Sequence, residues 1–215
     1  IVASWSIALG VAVVISLFLF LPMVQNSYKP VPTLNLSLIK GMWKYSGGSY
    51  LASLLGSAPP LILPLLVVNL LGPQQNAYFY IAWMVATLLF TISQSVSQSL
   101  FAEGSHFEDK LRENTLKSVK FTFLLLVPMV ILIILVGKWV LLAFGQSYSV
   151  NALHLLWILS VSSLPLGINR IYSSVLRVTS RLKELITIWG VIGLAVLVVS
   201  YLIMPITGII GIGDS

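Results

Sequence analysis

The chain has no cysteine, which excludes disulfides, thiolate nucleophiles and cysteine metal sites. Charge is nearly as scarce: 8% of residues are Asp, Glu, Lys or Arg, where a soluble domain carries roughly 25%. Acid is scarcer still. The acidic residues are Glu103, Glu108, Asp109, Glu113, Glu184 and Asp214, and none falls inside an apolar run. That removes the usual intramembrane carboxylate for proton or sodium coupling from this stretch. Glu108 and Asp109 beside Lys110 and Arg112 read as a solvated helix start, not as a catalytic acid pair. His106 and His154 fall on opposite faces of a membrane, read as solvated loop residues and make no metal pair. No phosphate-cradling glycine loop and no nucleophile with a base is present, so the sequence predicts no enzyme activity, no cofactor and no metal.

What fills the space is apolar. Hydrophobic residues make up 58% of the chain, and runs such as FLLLVPMVILIILV and WGVIGLAVLVVSYLIM approach the ~20 residues of a bilayer span. The fold class expected is all-α: a polytopic helical membrane protein of six transmembrane helices. The spans are placed at 1–24, 49–71, 77–101, 116–137, 151–177 and 184–205. An elbow, SYKPVPTLN, and an amphipathic piece, LSLIKGMWKYSGG, lie between the first two. The first residue is not methionine, and ITGIIGIGDS reads as the start of another apolar segment. The chain therefore reads as a piece of a longer protein.

The net charge of +6 is a matter of placement rather than of nucleic acid, which is not an expected partner. With six spans, Lys29, Lys40, Lys44, Lys110, Arg112, Lys117, Lys120, Arg177, Arg181 and Lys183 share one face, against Lys138 on the other. The positive-inside rule makes that basic face cytoplasmic.

Polar residues within spans are the candidates for function. In TISQSVSQSLFAEGS, Ile92, Val96 and Leu100 form an apolar ridge, while Thr91, Gln94, Ser95 and Gln98 share a face at helical spacing. Glutamine amides are costly against hydrocarbon without a partner. Gln94 and Gln98 therefore belong in the cytoplasmic headgroup zone, against a neighbouring helix as polar glue, or on a wet cavity wall. Asn169 and Arg170 follow Pro165 in the fifth span. An arginine there costs about 2.5–3.5 kcal/mol on insertion scales, so it needs a partner or water, unless it snorkels to the inner headgroups. Asn69 lies near the outer end of the second span and Lys44 on the elbow side. Pro59, Pro60 and Pro64 remove three backbone donors within six residues, as in a broken transporter helix or a static kink. A faint internal echo links LLGPQQNAYFYIAW to AFGQSYSVNALHLLWI.

The order of these pieces resembles a known family. A lysine-bearing elbow, a proline-broken helix ending LLGPQQNAYF, a helix ending SQSLFAEGSHFEDKL, then LLAFGQSYSVNALHLLWIL, RVTSRLKEL and YLIMPITGIIGIG follow one another. This resembles the polysaccharide-exporter branch of the multidrug/oligosaccharidyl-lipid/polysaccharide superfamily, which includes Wzx-type O-antigen flippases. Phe144, Gly145, Tyr148 and Ala152 match its FG-x-x-Y-x-x-A element with one residue of offset, and Pro205, Gly208 and Gly211 its P-x-x-G-x-x-G turn. The resemblance implies two six-helix bundles around a central cavity with alternating access. Residues 1–25 would be the last helix of the first bundle and 26–48 a cytoplasmic elbow and linker. Residues 49–205 would give five helices of the second bundle, and 206–215 the start of a further helix. It implies a prokaryotic plasma-membrane flippase, working as a monomer among membrane lipids, whose substrate is a polyprenyl-diphosphate-linked oligosaccharide. Arg170, with Asn169, Gln94, Gln98, Lys44 and Asn69, would then face that substrate, Arg170 meeting its diphosphate. The alternatives are a cation-coupled multidrug antiporter of the same fold, a non-transporting scaffold subunit and, last, a membrane-embedded glycosyltransferase.

Overall fold

A computed structural model describes residues 2–24, 36–106 and 110–208, and every long element among them is helical. Helices are what apolar runs must form in a bilayer, because no water is there to satisfy an open backbone. The chain divides into two compact units, 1–43 and 44–215. In the first, helix α1 (Val2–Ile15) runs into a π-helical turn (Ser16–Phe20) and then α2 (Leu21–Val24). The boundary between the units falls within α3 (Leu36–Leu71).

The second unit holds the rest of α3 and α4 (Pro73–His106), α5 (Leu111–Leu142), the short α6 (Gln146–Asn151), α7 (Leu153–Val178) and α8 (Leu182–Thr207). Among the described residues, five helices are long and apolar enough to cross a membrane, α3 doing so over Met42–Leu71. The first of the six expected spans is represented by a shorter apolar helix, Ser6–Phe20. The expected linker also differs: its residues 36–48 are already helical and continuous with the second span. The elbow at 25–35, Glu108 and Asp109, and Gly211 lie outside the described residues. His154 sits in the first turn of α7 rather than in a loop, its ring edge-on to Trp157 at 5.4 Å.

Helices α4, α5 and α7 form the centre. Phe79, Leu89, Leu126, Leu155 and Leu156 are buried in one cluster between them, whereas Leu124 and Leu135 on the outside are 69% and 70% exposed. Exposed leucine at this density marks a surface solvated by lipid rather than water. The three helices meet at Gly167, where an added Cβ would lie 3.1 Å from Ser93 Oγ and 3.2 Å from Leu126 Cδ1. Small residues at such crossings let backbones approach where lipid offers no hydrophobic drive.

Helix α8 packs on α3 through the same device. A Cβ on Gly56 would meet Trp189 at 3.0 Å, and one on Gly193 would meet the Leu55 carbonyl oxygen at 3.1 Å. The second contact explains part of the proline run. Pro59, Pro60 and Pro64 do not interrupt α3, so of the two readings the sequence leaves open, a broken helix or a static kink, the break is not seen. They do strip the carbonyls of Leu55, Gly56 and Pro60 of their i+4 donors. The α8 backbone closes against the first of these.

The turns follow local chemistry. Gly72 takes φ +88°, ending α3, and Pro73 opens α4 at the position where its missing N–H costs nothing. Gly145 takes φ +129° before α6. These are the glycines of the internal echo, and the two echoing segments meet in space: Tyr78 and Tyr148 pack edge to face at 5.2 Å. At the other end, a Cβ on Gly104 would touch Leu111 at 2.9 Å and Val178 at 3.1 Å. The end of α4, the start of α5 and the end of α7 therefore share one end of the unit. That end gathers Arg112, Lys117, Lys120, Arg177, Arg181 and Lys183, while Lys138 lies near the far end of α5.

Candidate functional site

A cavity of about 560 Å³ opens between α3, α4, α7 and α8. Each helix brings polar residues to it at its own period. From α7 come Arg170, Ser173, Ser174 and Arg177, the i, i+3, i+4, i+7 set that forms one helical face. From α4 come Gln94, Ser97 and Gln98, from α3 Ser53, Ser57 and Pro60, and from α8 Trp189. Gly56 and Pro60, two of the residues whose carbonyls lost their helical donors, also line it.

The polar groups are held by bonds between helices. Arg170 donates from Nη1 to Gln94 Oε1 at 2.7 Å. The Arg170 carbonyl accepts from Ser97 Oγ at 2.7 Å, and the Ser97 carbonyl accepts from Ser174 Oγ at 2.8 Å. This reciprocal pair fixes α4 against α7 directly under the arginine. Arg177 donates from Nη2 to Ser53 Oγ at 3.3 Å, and its carbonyl accepts from Tyr45 Oη at 3.1 Å. Trp189 donates from Nε1 to Ser173 Oγ at 3.1 Å. Among the described residues, Nε of both arginines is buried without a hydrogen-bond partner. Both arginines line one cavity, and none of its lining residues is acidic. Such an arrangement suits an anion, for which the planar guanidinium fork is well shaped. Arg177 stands at the basic end of the unit, and Arg170 is seven residues, about 10 Å, further in.

The sequence candidates divide into two groups. Arg170, Gln94 and Gln98 come together on the cavity wall. Asn69 lies apart, exposed, its amide donating to its own helix at Leu65 O over 2.7 Å. Lys44 is exposed and does not line the cavity. Asn169, although adjacent to Arg170, is not on the wall either, and its buried Nδ2 has no partner among the described residues. The serine-rich stretch of α4 is shared out by face. Ser97 joins the glutamines, Ser93 turns into the α5–α7 crossing, and Thr91 and Ser95 bond back to the preceding turn at 2.9 and 3.0 Å. Sequence reasoning placed Arg177 among the cytoplasmic loop charges and passed over the serines. The signal was present in the spacing of 170, 173, 174 and 177.

No curated protein and no solved structure matches the chain. A family model described as "Polysaccharide biosynthesis protein" matches residues 1–153, which includes Gln94 and Gln98 and ends before Arg170. With most of its length in that match and a bundle of bilayer-length helices around a polar cavity, the chain belongs to the polysaccharide biosynthesis protein family.

Proposed function

We propose that this protein moves a polyprenyl-diphosphate-linked oligosaccharide across the prokaryotic cytoplasmic membrane by alternating access, supplying cell-surface polysaccharide assembly. The observation behind the reading is the pair Arg170 and Arg177 lining one cavity among apolar helices with no acidic residue beside them. Charge-assisted hydrogen bonds to a diphosphate strengthen where water is partly excluded. Serine hydroxyls and glutamine amides beside them offer the neutral donors and acceptors that sugar hydroxyls require. Nothing in this role asks for bond making, so the protein acts as a transporter and its substrate leaves chemically unchanged.

The electropositive wall also favours this substrate over cationic drugs, which would meet two like charges. The test is mass spectrometry of lipid-linked precursors in cells depleted of the protein, alongside cationic dye retention. Accumulated polyprenyl-diphosphate oligosaccharide with normal dye efflux is the expected result. Flat precursor levels with dye retention would assign the cavity to drugs and remove the diphosphate role of Arg170.

A further inference from the structure

A second cavity lies on the outer flank of the bundle and takes no part in the proposed transport site. It is a groove of about 610 Å³ between α4 and α5. Its basic end holds Lys117, Lys120, Ser99 and Ser118, and its wall continues with Val96, Phe121 and Leu124. One end is thus cationic and hydroxylic, and the other offers only hydrocarbon.

Its depth in the membrane can be read from α5. Between Lys120 and Lys138 the helix has no charged residue, and those 18 steps span about 27 Å, close to the ~30 Å of a hydrocarbon core. The two lysines therefore mark the two headgroup layers, with the groove running from one of them into the acyl region. Lys117 is held by Glu113 at 2.7 Å. Lys120, one turn deeper, has no hydrogen-bond or ion-pair partner among the described residues. The hydroxyls of Ser99 and Ser118 are likewise unbonded among them, whereas neighbours such as Ser95, Ser105 and Thr115 bond back to their own helix.

We propose that this groove is a binding site for an anionic phospholipid. Lys120 and the two hydroxyls engage the phosphodiester, and an acyl chain runs along Val96, Phe121 and Leu124. A zwitterionic lipid brings its own cation to the same headgroup layer, so the site discriminates in favour of net negative charge. The proposal does not depend on what the arginine cavity transports.

The purified, delipidated protein is titrated in detergent with phosphatidylglycerol or phosphatidylcholine of identical chains, and bound lipid is counted by native mass spectrometry. Phosphatidylglycerol should bind the tighter of the two. Lys120→Gln should weaken it about fivefold, the effect of one basic residue at an anionic headgroup. Lys117→Gln should weaken it less, because Glu113 already offsets that charge. Leu124→Trp, which fills the apolar end and leaves every charge in place, should also reduce binding. Lys138→Gln makes the same charge change at the opposite headgroup layer and should leave binding unaltered. Equal affinity for the two lipids, or equal losses from Lys120→Gln and Lys138→Gln, would overturn the proposal.

Discussion

In the proposed transport role, Arg170 carries most of the chemistry. Its guanidinium is tied by one short bond to Gln94, a neutral partner that orients the fork without cancelling its charge. Replacing it with alanine should lower transport about tenfold to a hundredfold, the range expected for losing a hydrogen bond to a charged group at about 1.5–3 kcal/mol. Arg170→Lys should recover only part of that, since a point charge does not reproduce the fork. Gln94→Glu is the more discriminating change. It keeps the size and acceptor but turns the tether into an ion pair, and it should impair transport as severely as alanine at 170. Accumulation of lipid-linked precursor in complemented cells reads all three. A Gln94→Glu protein with full activity would show that the arginine charge is not what the substrate meets.

Elements are joined here by small residues, and their stability can be tested there. Gly167 faces Ser93, Leu126 and Thr122 at 3.1–3.3 Å from a hypothetical Cβ. Gly167→Ala should therefore cost about 1–3 kcal/mol by overpacking, seen as a lower midpoint in a detergent melting assay. The turn after α7 offers the opposite case. Ser180 adopts φ +55°, with Arg181 N–H on Leu176 O at 2.8 Å and Ser180 N–H on Arg177 O at 3.2 Å. This is a Schellman closure with serine at the position glycine prefers. Ser180→Gly should raise the midpoint, by roughly 1 kcal/mol of relieved left-handed strain.

The helices themselves were legible because an uninterrupted apolar run in a bilayer has few other choices. The ends of α3 were less so. Residues 36–48 contain no proline, so nothing local stops the helix there, although their composition changes from span to linker. The prolines further on left a break or a static kink open, because a sequence shows the lost donors but not the α8 glycine that packs against a freed carbonyl. Similarly, Gln94, Gln98 and Arg170 were conspicuous because each is costly in hydrocarbon. Arg177 was not, since an arginine at a span end is ordinary and only its seven-residue spacing from Arg170 tied it to the same face. Asn69 drew attention for the same reason as the glutamines. In the structure its amide is satisfied within one turn, a local solution that a residue type does not reveal.

Within the unit 44–215, charge is segregated along the helices: the end shared by α4, α5 and α7 is basic, and Lys138 stands near the opposite end of α5. The absence of cysteine makes the resulting topology simple to test. In intact cells a membrane-impermeant maleimide should label Lys138→Cys at once, and Lys183→Cys only after the membrane is opened. Reversed labelling would invert the orientation and put the Arg177 mouth of the cavity outside. A cytoplasmic mouth is what a carrier loading a substrate made in the cytoplasm requires.

The proposed role of the arginine cavity is to pass a lipid-linked diphosphate through the membrane. It is tested most directly by reconstituting the protein, as its own cells make it, into liposomes with a fluorescent polyprenyl-diphosphate oligosaccharide. Movement between leaflets is followed by quenching from outside. Protein-dependent flipping is expected, falling at least tenfold in the Arg170→Ala protein, with unchanged incorporation into the liposomes. Flipping that proceeds equally well without Arg170, or no flipping by the intact protein, would contradict it.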